Sequence, residues 1–303
     1  VHSFGEERVA RSNGIELAYQ EMGDPDGEPL LLVMGLGTQM LAWDEAFCGL
    51  LAERGFRVVR FDNRDIGRST KIESAGAPRR VDMMLGRRRS APYLLSDMAA
   101  DTTGLMDHLG IDSAHVVGAS MGGMIAQTVA IEHPGRLRSM VSIMSNTGSR
   151  WTGMPSRKAM AVLMGRPPKG REAAVERAVR TFSVIGSPGY PFEEERVRRI
   201  AGRSYDRGHS AAGVLRQLHA ITASGDRTVA LRGVRVPTTV IHGNRDVLVR
   251  PAGGRATARA IPGARLKMIE GMGHDLPRQL WPVFAEEIAA NAARAASPQA
   301  AAV

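Results

Sequence analysis

Hydrophobic and polar positions change their rhythm three times along the chain, and each change marks a different kind of structure. Two short runs, "RVARS" and "IELAYQEMG", flank Asn13 and Gly14. An Asn-Gly pair tolerates positive φ at both positions and favours a hairpin, so the opening is predicted to be antiparallel. Strand and helix then alternate. "PLLLVMG" leads to a helix ending in "LLAERG", "RVVRFDN" to "LLSDMAADTTGLMDHLG", and "AHVVGAS" to "MGGMIAQTVAIEHP", followed by "LRSMVSIMS". The strands are short, continuous apolar runs, as expected where helices cover both faces of a sheet. The pattern predicts an α/β fold with a mostly parallel, doubly wound sheet.

After Asn146 the alternation stops. About eighty residues show helical spacing broken by Pro and Gly, in "SRKAMAVLMG", "REAAVERAVRTF", "FEEERVRRIAGRSY" and "GVLRQLHAITASG". Alternation resumes with "PTTVIHGNRD", "GGRATARAIPG" and "ARLKMIEGMGH", then a last helix from about Pro277. The expected organisation is a core of residues 1–146 and 226–303 with a helical cap, 147–225, inserted between two strands of one sheet. The tail "ARAASPQAAAV" is expected to fray.

Composition narrows the function classes. The 303 residues, 43% of them hydrophobic, suffice for a sizeable core. A net charge of +9 raises nucleic acid or an acidic surface as partner. The arginines are scattered, however, with dense runs only near Arg79 and Arg88, and aromatics are 5%, which leaves little for bases to stack on. No nucleic-acid partner is expected. Cys48 is the single cysteine; within an apolar helical pattern it is expected to be a buried structural thiol, and it rules out an internal disulfide or a Cys-based metal site. No membrane span is expected, since no stretch approaches about 20 apolar residues. The first residues lack a signal-peptide pattern, so the expected location is cytoplasmic.

Candidate chemistry begins at "VVGASMGGM", residues 116–124. With 34 glycines, a G-x-S-x-G pattern arises by chance roughly 0.24 times in this composition, so context decides. Here a strand precedes Ser120 and a helix follows it, the setting in which a strained turn lifts a serine hydroxyl above the sheet. Gly118 and Gly122 remove Cβ atoms that would collide across that turn. A serine is a poor nucleophile without a base. Asp246 follows the strand "TTVIHG" and His274 follows "RLKMIEG", giving the chain order serine, acid, histidine that accompanies this elbow. Both lie past the carboxyl ends of strands, where open α/β sheets place their sites.

The remaining candidates rank lower. His2 is terminal, and His108, His133, His209 and His219 fall in helical patterns or at their ends. His115 and His242 lie within strands, with His242 placed to support Asp246. Asp97, Asp101 and Asp107 share one helix and are expected to be solvent-facing or capping, and Asp275 should point away from the serine if its neighbour faces it. An oxyanion hole needs two converging N–H groups. Met121 supplies one, and Leu36 of "VMGLGTQM" the other, with Gly35 and Gly37 letting that loop turn close to substrate. Met34, Met40 and Met124 are candidate lining for an apolar pocket, core filling being the alternative. The arginines from Arg79 to Arg89 are expected in a solvated loop. "GLG" half matches a dinucleotide fingerprint, but Met40 stands where its third glycine belongs, so no cofactor is expected, and no ligand pair at metal spacing appears.

The stretches "LLLVMGLG", "FDNRDIGRST", "VVGASMGGMIAQ", "VIHGNRDVLV" and "MGHDLP" resemble the α/β-hydrolase superfamily, and within it the esterase and lipase branch that includes aclacinomycin methylesterase. "GVLRQLHAITASGDR" is similar to a segment of related actinobacterial-type hydrolases that leads from the cap back into the core. The resemblance spans about residues 10–290. It implies Ser120, Asp246 and His274 as the triad, Leu36 and Met121 as oxyanion donors, and structural roles for Asp62 and Arg64. Many relatives carry His-Gly where this chain has Met34-Gly35, which removes a side chain that often organises the loop. The expectation is a serine hydrolase acting on a small carboxylic ester, with lactone cleavage, acyl transfer, cofactor-free perhydrolysis or non-catalytic ligand binding as the alternatives.

Overall fold

Asn13 and Gly14 both take positive φ, 48° and 77°, and turn β1 (Arg8–Ser12) back onto β2 (Ile15–Met22) as an antiparallel hairpin. The computed structural model describes residues 3–163, 165 and 167–296. After the hairpin come β3 (Glu28–Val33), α1 (Glu45–Ala52), β4 (Phe56–Phe61), α2 (Arg80–Leu85), α3 (Leu95–His108), β5 (Ala114–Ala119), α4 (Met121–Glu132) and β6 (Leu137–Ile143). Four helices follow, α5 (Arg157–Leu163), α6 (Arg171–Ile185), α7 (Glu194–Arg207) and α8 (Ala211–Ser224). A short α9 (Thr228–Leu231) precedes β7 (Thr238–Gly243), α10 (Pro251–Ala260), β8 (Arg265–Ile269) and α11 (Trp281–Ala296).

The eight strands form one sheet in the order β1-β2-β4-β3-β5-β6-β7-β8. β2 meets β4 antiparallel, and every pair from β4 to β8 is parallel. Successive side chains of a strand point to opposite faces. Leu31 and Val33 of β3 therefore pack under α3 and α4 with Met98, Ile125 and Val129, while Leu30 and Leu32 pack under α1 and α11 with Phe47, Leu51 and Phe284. This two-sided burial is why "PLLLV" of β3 reads as an unbroken apolar run. Cys48 sits in the second layer, and burial pushes its thiol pKa up to about 12, so it stays protonated.

Three sequence expectations need correcting. Asp101 is not solvent-facing: it is buried and pairs with Arg64 through two 2.6 Å contacts, a partner from a distant loop that helical periodicity does not reveal. α2 falls inside the Arg79–Arg89 stretch expected to be a solvated loop, and α9 where the pattern predicts no helix, since four to six residues carry too little periodicity to register. The last helix extends to Ala296, so the first residues of the expected frayed tail are helical; the rest of that tail, like His2, lies outside the described residues. Among the described residues no helix is long and apolar enough to cross a membrane.

Candidate active site

Ser120 links the end of β5 to the start of α4 with φ 56° and ψ −117°, a conformation that non-glycine residues rarely adopt. The strain is held by packing. A Cβ at Gly118 would lie 2.1 Å from Gly122 O, and one at Gly122 would lie 2.0 Å from Val33 O, so only glycine lets α4 come this close to β3 and β5. Ser120 N–H donates to Ile143 O at 2.9 Å, and Gly123 N–H donates to Ser120 O at 3.0 Å. The hydroxyl is thereby fixed at the carboxyl end of the sheet, partly exposed.

The loops after β7 and β8 bring Asp246 and His274 to it. Asp246 is buried, and its Oδ1 accepts from Leu248 and Val249 N–H at 2.9 and 2.8 Å. Its Oδ2 lies 2.7 Å from His274 Nδ1. A carboxylate can only accept, so Nδ1 carries the proton. His274 Nε2 is then bare and accepts from the Ser120 hydroxyl at 3.0 Å. His274 N–H donates to Ile185 O at 2.7 Å, and Gly273 N–H donates to Ser187 Oγ at 2.8 Å, which ties the histidine loop to the end of α6. Asp275 does point elsewhere: it accepts a short hydrogen bond from Ser187, and burial raises its carboxyl pKa.

His242 stands behind the acid. Its Nε2 lies 2.7 Å from Val249 O, an acceptor, so Nε2 carries the proton and the buried Nδ1 finds no partner among the described residues. The same Nε2 is 3.5 Å from Asp246 Oδ2. Burial holds the His242 pKa below its ordinary value, keeping the ring neutral.

The loop after β3 closes the site from the other side. Met121 is the first residue of α4, so its N–H has no intrahelical acceptor. Gly35 runs so close that an added Cβ would be 3.1 Å from Ser120 Cβ. Two side chains that the sequence did not reveal hold this loop. Gln217 of α8 accepts from Gly37 N–H at 2.9 Å and donates to Arg64 O at 2.8 Å. Asn63 donates to Met34 O at 2.9 Å. The mid-helix polar pair Arg216 and Gln217 was the available signal, but nothing in sequence says which face of α8 docks. Asp62 accepts from Met40 and Arg68 N–H and pairs with Arg207, all structural contacts.

Met34, Met40 and Met124 are all buried. Met34 packs with Trp43 and Phe47, Met124 with Ile125 and Val129 on the opposite face of the sheet. An open groove of about 540 Å³ lies between α6 and α7, lined by Arg171, Val175, Glu195 and Arg198, and contains none of the three. Arg79–Arg80 and Arg87–Arg89 are exposed around α2. Of the other histidines, His108 and His209 are exposed, His133 is half-buried, His219 is buried against Arg87 O, and His115 is buried between Ser139 and Glu28.

Residues 28–185 match the family model described as alpha/beta hydrolase fold. The chain is 27% identical over 307 residues to rhodomycin D methylesterase DnrP of Streptomyces peucetius, covering 94% of this chain and 97% of that protein. Among solved structures it is similar to the enol-lactonase from Burkholderia xenovorans LB400, with TM-score 0.71, 24% identity and coverage of 94% and 99%. It is also similar to the meta-cleavage product hydrolase of Pseudomonas fluorescens IP01, with TM-score 0.74, 18% identity and coverage of 96% and 98%.

Proposed function

The chain belongs to the α/β-hydrolase family and is a carboxylic ester hydrolase; on that premise we propose that it is a serine methylesterase working through an acyl-enzyme on Ser120. The observation that carries this is the unbroken row from Ser120 Oγ to His274 at 3.0 Å and from His274 to Asp246 at 2.7 Å. His274 Nε2 removes the hydroxyl proton as Oγ attacks the ester carbonyl carbon. The Asp246 carboxylate keeps the ring in the tautomer this requires and stabilises the imidazolium that forms. The tetrahedral oxyanion is held by the N–H groups of Leu36 and Met121, aided by the positive end of α4. His274 then passes its proton to the leaving alkoxide, methanol departs, and a water deprotonated by the same nitrogen releases the acid. The methyl ester is suggested by the methylesterase relative. The helical insert, residues 147–225, acts as the cap that selects the acyl part.

The test is methanol release from methyl esters of acids of graded size, alongside p-nitrophenyl esters from acetate to decanoate. Turnover by the wild type with loss of about 10⁴-fold or more in Ser120→Ala supports the reading, as does an acyl adduct on Ser120 by mass spectrometry. Undiminished turnover in Ser120→Ala sinks it. Ring opening of lactones without methyl ester cleavage would move the assignment to a lactonase on the same residues.

A further inference from the structure

A surface helix ordinarily turns its apolar residues inward and its polar residues outward. α2 departs from this. Met83 and Asp82 are buried, while Val81, Met84 and Leu85, spaced i, i+3, i+4 on one face, are 44%, 80% and 53% exposed. The helix is bracketed by the exposed Arg79, Arg80, Arg87, Arg88 and Arg89. Asp82 is the sole acidic residue between Ala77 and Ser96, and although it engages Arg87 at 3.1 Å and Arg79 at 4.0 Å, its one negative charge offsets only one of the five guanidinium charges. A Cβ at Gly86, the residue that ends α2, would lie 3.6 Å from the Arg150 guanidinium, whose neighbour Trp151 is 94% exposed.

We propose that this outward face of α2, with Trp151 at its edge, docks the protein on an anionic phospholipid bilayer. An apolar stripe ringed by arginines matches acyl chains below a layer of negative headgroups, and the chain's net charge of +9 favours the same surface. A second copy of this chain fits poorly, because two such faces would bring ten guanidinium groups together. Nucleic acid fits poorly as well: its phosphates would cover three apolar side chains, and a single aromatic ring is available for stacking. α2 packs on α8, Arg87 just past its end offers its carbonyl to His219 of α8 at 3.2 Å, and Val214 of α8 packs near Gly37. A docked bilayer would therefore lie against the helix whose other end holds the loop carrying Leu36.

The experiment is vesicle co-sedimentation together with tryptophan emission, using about 30% phosphatidylglycerol in phosphatidylcholine against pure phosphatidylcholine. Trp43 and Trp281 are buried, so a blue shift on binding reports Trp151. Binding is expected on the anionic vesicles alone and should weaken as salt rises to about 0.5 M. Met84→Asp with Leu85→Asp, and separately Arg88→Glu with Arg89→Glu, should each lower partitioning by at least about tenfold. The melting temperature and hydrolysis of a water-soluble ester should be unchanged in both. Binding does not depend on Ser120, so Ser120→Ala should bind as the wild type does. No binding, equal binding to both vesicles, or undiminished binding in either double variant overturns the proposal. So does self-association abolished by Met84→Asp, or a stronger preference for an oligonucleotide at the same salt.

Discussion

His242 and Asp246 hold one turn from both sides: His242 Nε2–H donates to Val249 O, while Val249 N–H donates to Asp246 Oδ1. Removing the imidazole should let the carboxylate drift, and small displacements in a catalytic row cost one to two orders of magnitude in rate. His242→Leu is expected to lower kcat by about tenfold or more with KM little changed, and His242→Gln, whose amide nitrogen reaches the Nε2 position, should restore most of it. In an Asp246→Asn background the His242→Leu effect should vanish; full additivity in that cycle would show that His242 does not act through Asp246. Gln217 holds the opposite wall. Gln217→Leu strips the acceptor from Gly37 N–H and the donor from Arg64 O, two groups whose loss costs about 1–3 kcal/mol each. A lower melting temperature should come with a kcat loss approaching the 10²-fold typical of a lost oxyanion donor; a stability loss with kcat intact would leave the loop's placement independent of α8. At this scale the sequence pointed to Ser120, Asp246 and His274 as neighbours, and the fold brings them together, because the glycine constraints and the chain order are local. Gln217, Asn63 and the buried Asp101 were not legible, since each depends on which distant backbone atom the fold delivers.

Among the elements, α8, the last of the four helices that follow β6 before the short α9, is anchored from inside to the loop after β4. Arg216 is fully buried and forms two contacts with Asp65, at 2.8 and 2.6 Å, while Tyr93 donates to the same carboxylate at 2.7 Å. Burial alone would raise the Asp65 pKa, but the hydrogen bonds from Arg216 and Tyr93 outweigh it and hold it below the ordinary value. Breaking such a pair from one side leaves an uncompensated buried charge, at about 3–5 kcal/mol. Arg216→Met and Asp65→Asn are each expected to destabilise by about that much, and the double variant by much less than the two together. Additive losses in urea unfolding would mean that the two groups do not act as a pair. The helical spacing of "GVLRQLHAITASG" correctly predicts a helix, α8. Spacing cannot say that its arginine faces a buried aspartate, because an Arg at mid-helix reads as solvent-facing until the docked partner is known. α2 escaped for the opposite reason, as six residues with an outward apolar face mimic neither a core helix nor a loop.

Over the whole molecule, the alternation of strands and helices made the sheet's handing-over from an antiparallel hairpin to parallel strands readable, since runs buried on both faces leave a plain hydrophobic trace. Its pH response is set by polar groups locked inside that sheet. His115 on β5 is buried between Ser139 Oγ and Glu28 Oε2, both at 2.8 Å, and His242 on β7 is buried near Asp246, with His274 and Arg255 also felt. Burial lowers the pKa of both rings below the ordinary value of about 6.5. The sign follows directly. Between the unfolded value and each lower folded value, the unfolded chain binds a proton that the native protein refuses, so stability is greatest above about pH 6.5 and declines as pH falls through that window. Asp65, with its own lowered value, adds a further loss only below about pH 4, where unfolded carboxylates protonate. The melting temperature is therefore expected to drop between pH 7 and pH 5, ahead of general acid unfolding. His115→Gln and His242→Gln should each flatten that drop, whatever they do to the midpoint at pH 8. A melting temperature that stays level from pH 8 to pH 5 in the wild type would mean that the Glu28 and Asp246 carboxylates beside these rings outweigh burial and let them charge in place.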